Sequence, residues 1–268
     1  MSQSFNFVAM ELNFKTFGTG PALVILHGLF GSLDNWVTLG RRYSEHFSVY
    51  LLDARNHGKS SHTDEFNYPA MANDVLAFLE KQRIQSAHII GHSMGGKTAM
   101  RFCLDHSQKI NKMIVADMPP IANPRGHDEI FEAIFSLPVS SLSSRNEAED
   151  ILAPKIPDIS TRLFILKNLD RRREGGFEWK FNLPAIYKEY HNILEAIESP
   201  SPAQNPVLFL KGSKSRYVNE GSYPFIFKLF PNAKIETIEN AGHWLHAEQP
   251  DSFYEVSMKF FNPLVSAL

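Results

Sequence analysis

Residues 86–106 read SAHIIGHSMGGKTAMRFCLDH, and the fold turns on how the middle of this stretch is read. Residues 87–90 form a short apolar run suited to a buried strand, and the chain from Ser93 onward fits a helix that starts on small side chains. Between them stands Gly91-His92-Ser93-Met94-Gly95, the Gly-x-Ser-x-Gly pattern of a nucleophile elbow. A serine at a sharp strand-to-helix turn takes a strained backbone conformation with its neighbours pressed close. Glycines two positions before and after it remove the Cβ atoms that would clash. The helix that follows aims free N–H groups and the positive end of its dipole at the place where an oxyanion would form. The alternative is a glycine-rich turn with an incidental serine. The flanking strand and helix argue for catalysis.

Working outward, residues 22–26 are continuously aliphatic, as a strand buried on both faces of a parallel sheet requires. They run into His27-Gly28-Leu29-Phe30-Gly31-Ser32, where backbone N–H groups can be exposed. In a hydrolase this loop supplies the second half of the oxyanion hole, opposite the amide of Met94. The Leu29 N–H is the expected donor and the Phe30 N–H the alternative, with His27 bracing the loop rather than catalysing. Residues 47–52 are another buried strand, ending in Asp53-Ala54-Arg55-Asn56-His57-Gly58-Lys59-Ser60. Asp53 is expected to pair with Arg55 and brace that loop. As a triad acid it would precede the serine in chain order, which is unusual. Residues 10–17 alternate like an edge strand, residues 34–43 and 68–80 carry helical spacing, and residues 112–116 are a buried strand ending in Asp117-Met118-Pro119-Pro120. Strand alternating with helix predicts an α/β fold with a doubly wound, mostly parallel sheet.

The alternation stops between Pro119 and Pro206, where helical patterns at 128–136, 159–168 and 184–197 are separated by prolines and by the charged turn 171–176. An all-helical lid over the strand ends is expected there, inserted before the penultimate strand. The division is therefore a core of residues 1–118 and 206–268 with a lid of residues 119–205. The Arg171-Arg172-Arg173 run reads as a solvated turn more readily than as an anion clamp, because three adjacent arginines cannot face one ligand. Strands at 207–210 and 234–238 resume the sheet, followed by Glu239-Asn240-Ala241-Gly242-His243-Trp244-Leu245-His246 and a closing helix at 253–261. A histidine in a glycine-containing loop after the last strand can reach back to the nucleophile as a general base. His243 follows the glycine directly. His246, three residues on, shares its face if that segment is helical.

A chain of 268 residues can bury a large core, and a net charge of −2 leaves no footprint for nucleic acid or an anionic membrane. No stretch is apolar enough to span a bilayer, and the first residues lack the basic and apolar regions of a signal peptide. A cytoplasmic location is expected. Cys103 is the single cysteine, so an intramolecular disulfide and a cysteine-based metal cluster are excluded and a small buried hydrophobe is expected instead.

Taken together, His27–Asn35, Asp53–Gly58, Gly91–Lys97, His127–Phe131 and Gly242–Glu248 read HGLFGSLDN, DARNHG, GHSMGGK, HDEIF and GHWLHAE. In this order the chain resembles an α/β-hydrolase nearly end to end, and more closely the YbfF-type bacterial esterases and their eukaryotic relatives. Most α/β-hydrolases carry their triad acid in a Gly-x-x-Asp turn after the strand that follows the lid. Here that turn reads Gly212-Ser213-Lys214-Ser215, and a serine cannot supply the charge that steadies an imidazolium. The resemblance implies that the acid is Asp117, as in the YbfF-like group. A capping role for Asp117 is the alternative, and Glu220 is the next carboxylate. The expected chemistry is that of a serine esterase: Ser93, His243 and Asp117 as the triad, and Leu29 and Met94 amides as the oxyanion hole. No metal or cofactor is needed. The resemblance implies a short to medium acyl ester, or an acyl-CoA thioester, as substrate. Phe30, Phe131, Phe135, Trp179 and Trp244 are candidates to line its pocket, although the lid's own core would use the same residue types. Carbon–carbon bond hydrolysis, a lyase step on the same fold, and a non-catalytic binding protein are the rival readings.

Overall fold

The computed structural model describes residues 10–261. The reading of the first residues as lacking a signal peptide therefore lies mostly outside the described part. In chain order the core begins with β1 (Phe14–Phe17), β2 (Ala22–Leu26), α1 (Val37–Tyr43), β3 (Ser48–Leu52), α2 (Tyr68–Lys81), β4 (Ala87–His92), α3 (Met94–Asp105) and β5 (Ile110–Ala116). An insertion follows: α4 (Asp128–Phe135), α5 (Arg145–Leu152), α6 (Ile159–Leu166), β6 (Leu169–Arg171), β7 (Phe177–Trp179), α7 (Leu183–Lys188) and α8 (Tyr190–Leu194). The core then closes with β8 (Val207–Gly212), α9 (Tyr223–Leu229), β9 (Ala233–Ile238), α10 (Leu245–Glu248) and α11 (Pro250–Phe261).

Seven strands form one sheet in the order β1-β3-β2-β4-β5-β8-β9. All neighbours are parallel except β1, which runs antiparallel on β3. Side chains of a strand alternate between faces, and β2 shows the consequence. Val24 and Leu26 enter the core beneath α2 and α3, whereas Leu23 and Ile25 enter the core beneath α1 and α11. With both faces covered, the central strands are apolar along their length, which is why they were readable as continuous runs. The chain winds outward from β2 to β3, then returns across it to β4. The strand order therefore reverses between β2 and β4, the position where ligands bind in open α/β sheets.

The insertion is not all helical. β6 and β7 pair as an antiparallel hairpin; the basic run starts at the last residue of β6 and continues into the turn, where Arg172 pairs with Glu174. Three-residue strands with only one buried residue each carry too little pattern to be seen in sequence. α5 was also missed; its start is fixed by Ser144 accepting from the Glu147 N–H. The predicted helix at 184–197 is two, because Glu189 leaves helical geometry and Tyr190 turns inward to full burial. Apolar residues of the insertion, among them Phe131, Ile134 and Phe177, share one hydrophobic cluster with Val24, Leu26 and Val115 of the sheet.

Candidate active site

Ser93 stands between β4 and α3 with φ 54° and ψ −117°, a conformation that costs an L-residue about 1–3 kcal/mol. Packing holds it there. A Cβ on Gly91 would fall 2.2 Å from the Gly95 carbonyl oxygen, and one on Gly95 would fall 2.4 Å from that of Leu26. The Ser93 N–H donates to the Ala116 carbonyl at 3.1 Å, tying the elbow to the end of β5. The glycine spacing thus answers a steric demand.

One residue beyond that carbonyl, Asp117 is fully buried and also has a positive φ, 50°. Its Oδ2 accepts a hydrogen bond from His243 Nδ1 at 2.7 Å. The Ser215 hydroxyl donates to the same oxygen, and the Gly212 N–H approaches Oδ1 at 3.4 Å. Asp117 caps no helix; its carboxylate belongs to the histidine. Glu220 is exposed in a turn of 3-10 helix, away from that ring.

His243 is held on two further sides. The Tyr217 ring stacks on it with centroids 4.1 Å apart, and His92 Nε2 donates to its backbone carbonyl at 2.9 Å. His92 is buried, and desolvation keeps it well below the usual imidazole range, so it is neutral and its one N–H is the donor in that bond. His246 does not share this role. It is buried, stacks flat on Trp36 at 4.1 Å, and burial holds its pKa at about 3. Ser93 and His243 line the same two cavities, without a hydrogen bond between them here. Such bonds often tighten only when substrate is bound.

The loop after β2 passes directly over the elbow: a Cβ on Gly28 would lie 3.2 Å from Ser93 Cβ. Two neutral histidines brace it. His27 Nδ1 donates to the Gly28 carbonyl at 2.8 Å while its Nε2 accepts from the Ala54 N–H. His57 Nε2 accepts from the Phe30 N–H at 3.2 Å. Burial pushes the His57 imidazole down to about 3, which keeps that nitrogen an acceptor. The Phe30 amide is therefore committed. The Leu29 and Met94 amides have no hydrogen-bond partner among the described residues. Nothing in the sequence distinguished His57 from any loop histidine.

The expected Asp53–Arg55 pair is absent. Asp53 instead accepts from the Leu33 and Lys59 N–H groups and from Asn13, whereas Arg55 forms a buried ion pair with Asp74 and reaches Glu65. A buried guanidinium needs a partner aligned with its fork, and Asp74 on α2 offers both oxygens. Both residues brace the loop, through different neighbours.

Two cavities of about 490 and 560 Å³ meet at Ser93, Leu29, His127, His243 and Trp244. The first adds Asp34, Asn35, Thr38, Lys167 and Glu248. The second is walled by Met94, Met118, Ile121, Ile193 and Leu194. Of the five pocket candidates, Trp244 lines both cavities and Phe30 the first. Phe131, Phe135 and Trp179 line neither. Phe131 is buried between Phe30 and Tyr190, Phe135 lies half exposed, and Trp179 stacks on Phe181. The Arg171–Arg173 run also lines neither.

Comparison with known proteins agrees with this geometry. The family model described as alpha/beta hydrolase fold matches residues 21–250. Esterase YbfF of Escherichia coli is 37% identical over 241 residues, covering 90% of this chain and 92% of that one. The sn-1-specific diacylglycerol lipase ABHD11 of Xenopus laevis is 37% identical over 249 residues, covering 90% and 80%. A solved structure titled marine microorganism esterase superposes with a TM-score of 0.92 at 42% identity, covering 94% of this chain and all of that one. The chain belongs to the alpha/beta hydrolase fold family. Within it, this is an enzyme of the esterase/lipase type, a carboxylic ester hydrolase similar to YbfF. Among the described residues, no helix is long and apolar enough to cross a membrane.

Proposed function

We propose that the protein is a serine esterase that hydrolyses short to medium acyl esters through an acyl-enzyme. Ser93 Oγ attacks the carbonyl carbon as His243 Nε2 takes its proton. The tetrahedral oxyanion is held by the Leu29 and Met94 N–H groups. Collapse expels the alcohol, which receives the proton from His243. Water, activated by the same imidazole, then attacks the acyl carbonyl and regenerates Ser93. Asp117 fixes the tautomer that leaves Nε2 free to accept, and it stabilises the imidazolium formed in each step. The observation that carries the reading is the 2.7 Å bond from His243 to a fully buried carboxylate, beside a serine on a strained elbow.

The two cavities give each half of an ester a place. The acyl chain is assigned to the second, whose Met118, Ile121 and Leu194 offer apolar contact. The alcohol is assigned to the first, where Asn35, Thr38 and Glu248 can hydrogen-bond a polar leaving group. An acyl-CoA thioester follows the same route with a thiolate leaving. A series of p-nitrophenyl esters from acetate to dodecanoate, with butyryl-CoA beside it, tests the reading. Turnover is expected to be highest at short to medium chains and absent in Ser93→Ala. Folded wild-type protein inactive on the whole series would instead favour carbon–carbon hydrolysis or a lyase step.

A further inference from the structure

Phe30 is one place where the insertion grips the core, and both its side chain and its backbone take part. Its ring, 3% exposed, sits in an aromatic socket of the insertion, 5.2 Å from the Phe131 ring and 5.3 Å from that of Phe181. Its carbonyl accepts a hydrogen bond from Asn168 Nδ2 at 2.7 Å. Its φ is +57°, a region a phenylalanine leaves unless its surroundings hold it there. The core contributes two restraints on this backbone, His57 accepting from the Phe30 N–H and the Gly31 N–H donating to the Gly28 carbonyl at 3.0 Å across the turn; the Asn168 bond and the aromatic socket come from the insertion.

Asn168 is built for this contact. It is 2% exposed, between α6 and β6. Its own carbonyl accepts from the Lys180 N–H at 2.8 Å, just past β7, so the small hairpin fixes its position. The carbonyls of Phe164 and Ile165 also face its side-chain nitrogen, at 3.3 and 3.4 Å. Three acceptors around one atom require that atom to be the NH₂ group.

We propose that Asn168 is a positioning residue for the oxyanion hole: by holding the Phe30 carbonyl from the lid, it steadies the turn of residues 28–31 that carries the Leu29 N–H. This rests on the serine-esterase reading, in which the Leu29 amide meets the oxyanion. It adds that the lid is a working part of the hole.

The test compares three variants with wild type, measuring kcat and KM on p-nitrophenyl butyrate, inhibition by an alkyl trifluoromethyl ketone, and melting temperature. The ketone takes up the serine oxygen and places a tetrahedral oxyanion in the hole. Asn168→Ala removes the donor. Asn168→Asp keeps the shape but sets an acceptor against the Phe30 carbonyl. Asn182→Ala is the control, since Asn182 ties the lid to Asn56 and Thr63 without touching the oxyanion loop. Both Asn168 variants are expected to lose about 10–100-fold in kcat with KM within about twofold, less than the loss of a whole oxyanion donor. Ketone affinity should fall in parallel. Asn182→Ala should lower the melting temperature and leave kcat and ketone affinity near wild type. Wild-type kcat and ketone affinity in folded Asn168 variants would overturn the proposal. So would an equal activity loss in Asn182→Ala, which would assign the effect to a loosened lid. A wild type that neither binds the ketone nor cleaves the ester would defeat the esterase reading itself, and this inference with it.

Discussion

Asp117 and His243 are 126 residues apart in the chain, and Oδ2 of one accepts a hydrogen bond from Nδ1 of the other at 2.7 Å. The carboxylate comes from the strand beside the elbow strand. Ser215, where most α/β-hydrolases would place their acid, donates to that same oxygen. The serine at the usual position thus serves the acid at the displaced one.

Asp117→Asn should remain folded and lose about 10³–10⁴-fold in kcat, because an amide leaves the imidazole in the wrong tautomer. Glu220→Gln should be neutral, as its carboxylate is exposed. Hydrolysis of p-nitrophenyl butyrate with circular dichroism reads both. Folded Asp117→Asn at near wild-type rate would remove Asp117 from the mechanism.

Moving the charge should recover part of the loss. The Ser215 side chain reaches the oxygen that meets His243, so an aspartate there comes close to the same ring. Asp117→Asn combined with Ser215→Asp should turn over at least about tenfold faster than Asp117→Asn alone, since restoring the buried charge regains part of its contribution. A double variant no faster than the single one would show that the charge must lie at residue 117 itself.

Most of this was legible because it follows from short-range rules. Gly91, Ser93 and Gly95 declare the elbow through steric demand, and the buried strands announce themselves as aliphatic runs. Asp117 was legible through the resemblance to the YbfF-like group, together with a serine at position 215 and a carboxylate at the next strand end. What stayed hidden depends on distant partners. His57, Asn168 and the Arg55–Asp74 pair act through contacts 19 to 138 residues away, and no local spacing encodes those. The pocket aromatics failed for a related reason. Phe131 and Trp179 have the composition of a pocket wall, but the lid needs a core of its own and uses them there.

Acid should unfold this protein earlier than its carboxylates alone would. His57 and His246 are buried with pKa values of about 3, whereas an unfolded histidine protonates near 6.5. Between those values the unfolded chain binds more protons, so stability is full above about pH 6.5 and falls as pH drops toward 3. At about 1.4 kcal/mol per pH unit for each group, roughly 4 kcal/mol is lost by pH 5, a large part of a typical 5–15 kcal/mol. Urea midpoints at pH 7.5, 6 and 5 should decline in that order. Equal midpoints would show that these rings accept protons in the folded state.

Gly95→Ala tests the elbow's packing. Its methyl group would meet the Leu26 and His27 carbonyl oxygens at 2.4 and 2.6 Å, and both belong to backbone that cannot swing aside. A loss of about 3 kcal/mol, or roughly 6–12 °C in melting temperature, is expected. A shift under about 2 °C would mean that the elbow has more room than its geometry shows.

Everything proposed for the site depends on Ser93 being the nucleophile. The direct measurement is intact-mass spectrometry after treatment with a fluorophosphonate, followed by peptide mapping. One adduct is expected, on the peptide that contains Ser93, with none in Ser93→Ala and much slower labelling in Asp117→Asn. A folded wild type that stays unmodified, or an adduct mapping to any other residue, would remove Ser93 as the nucleophile.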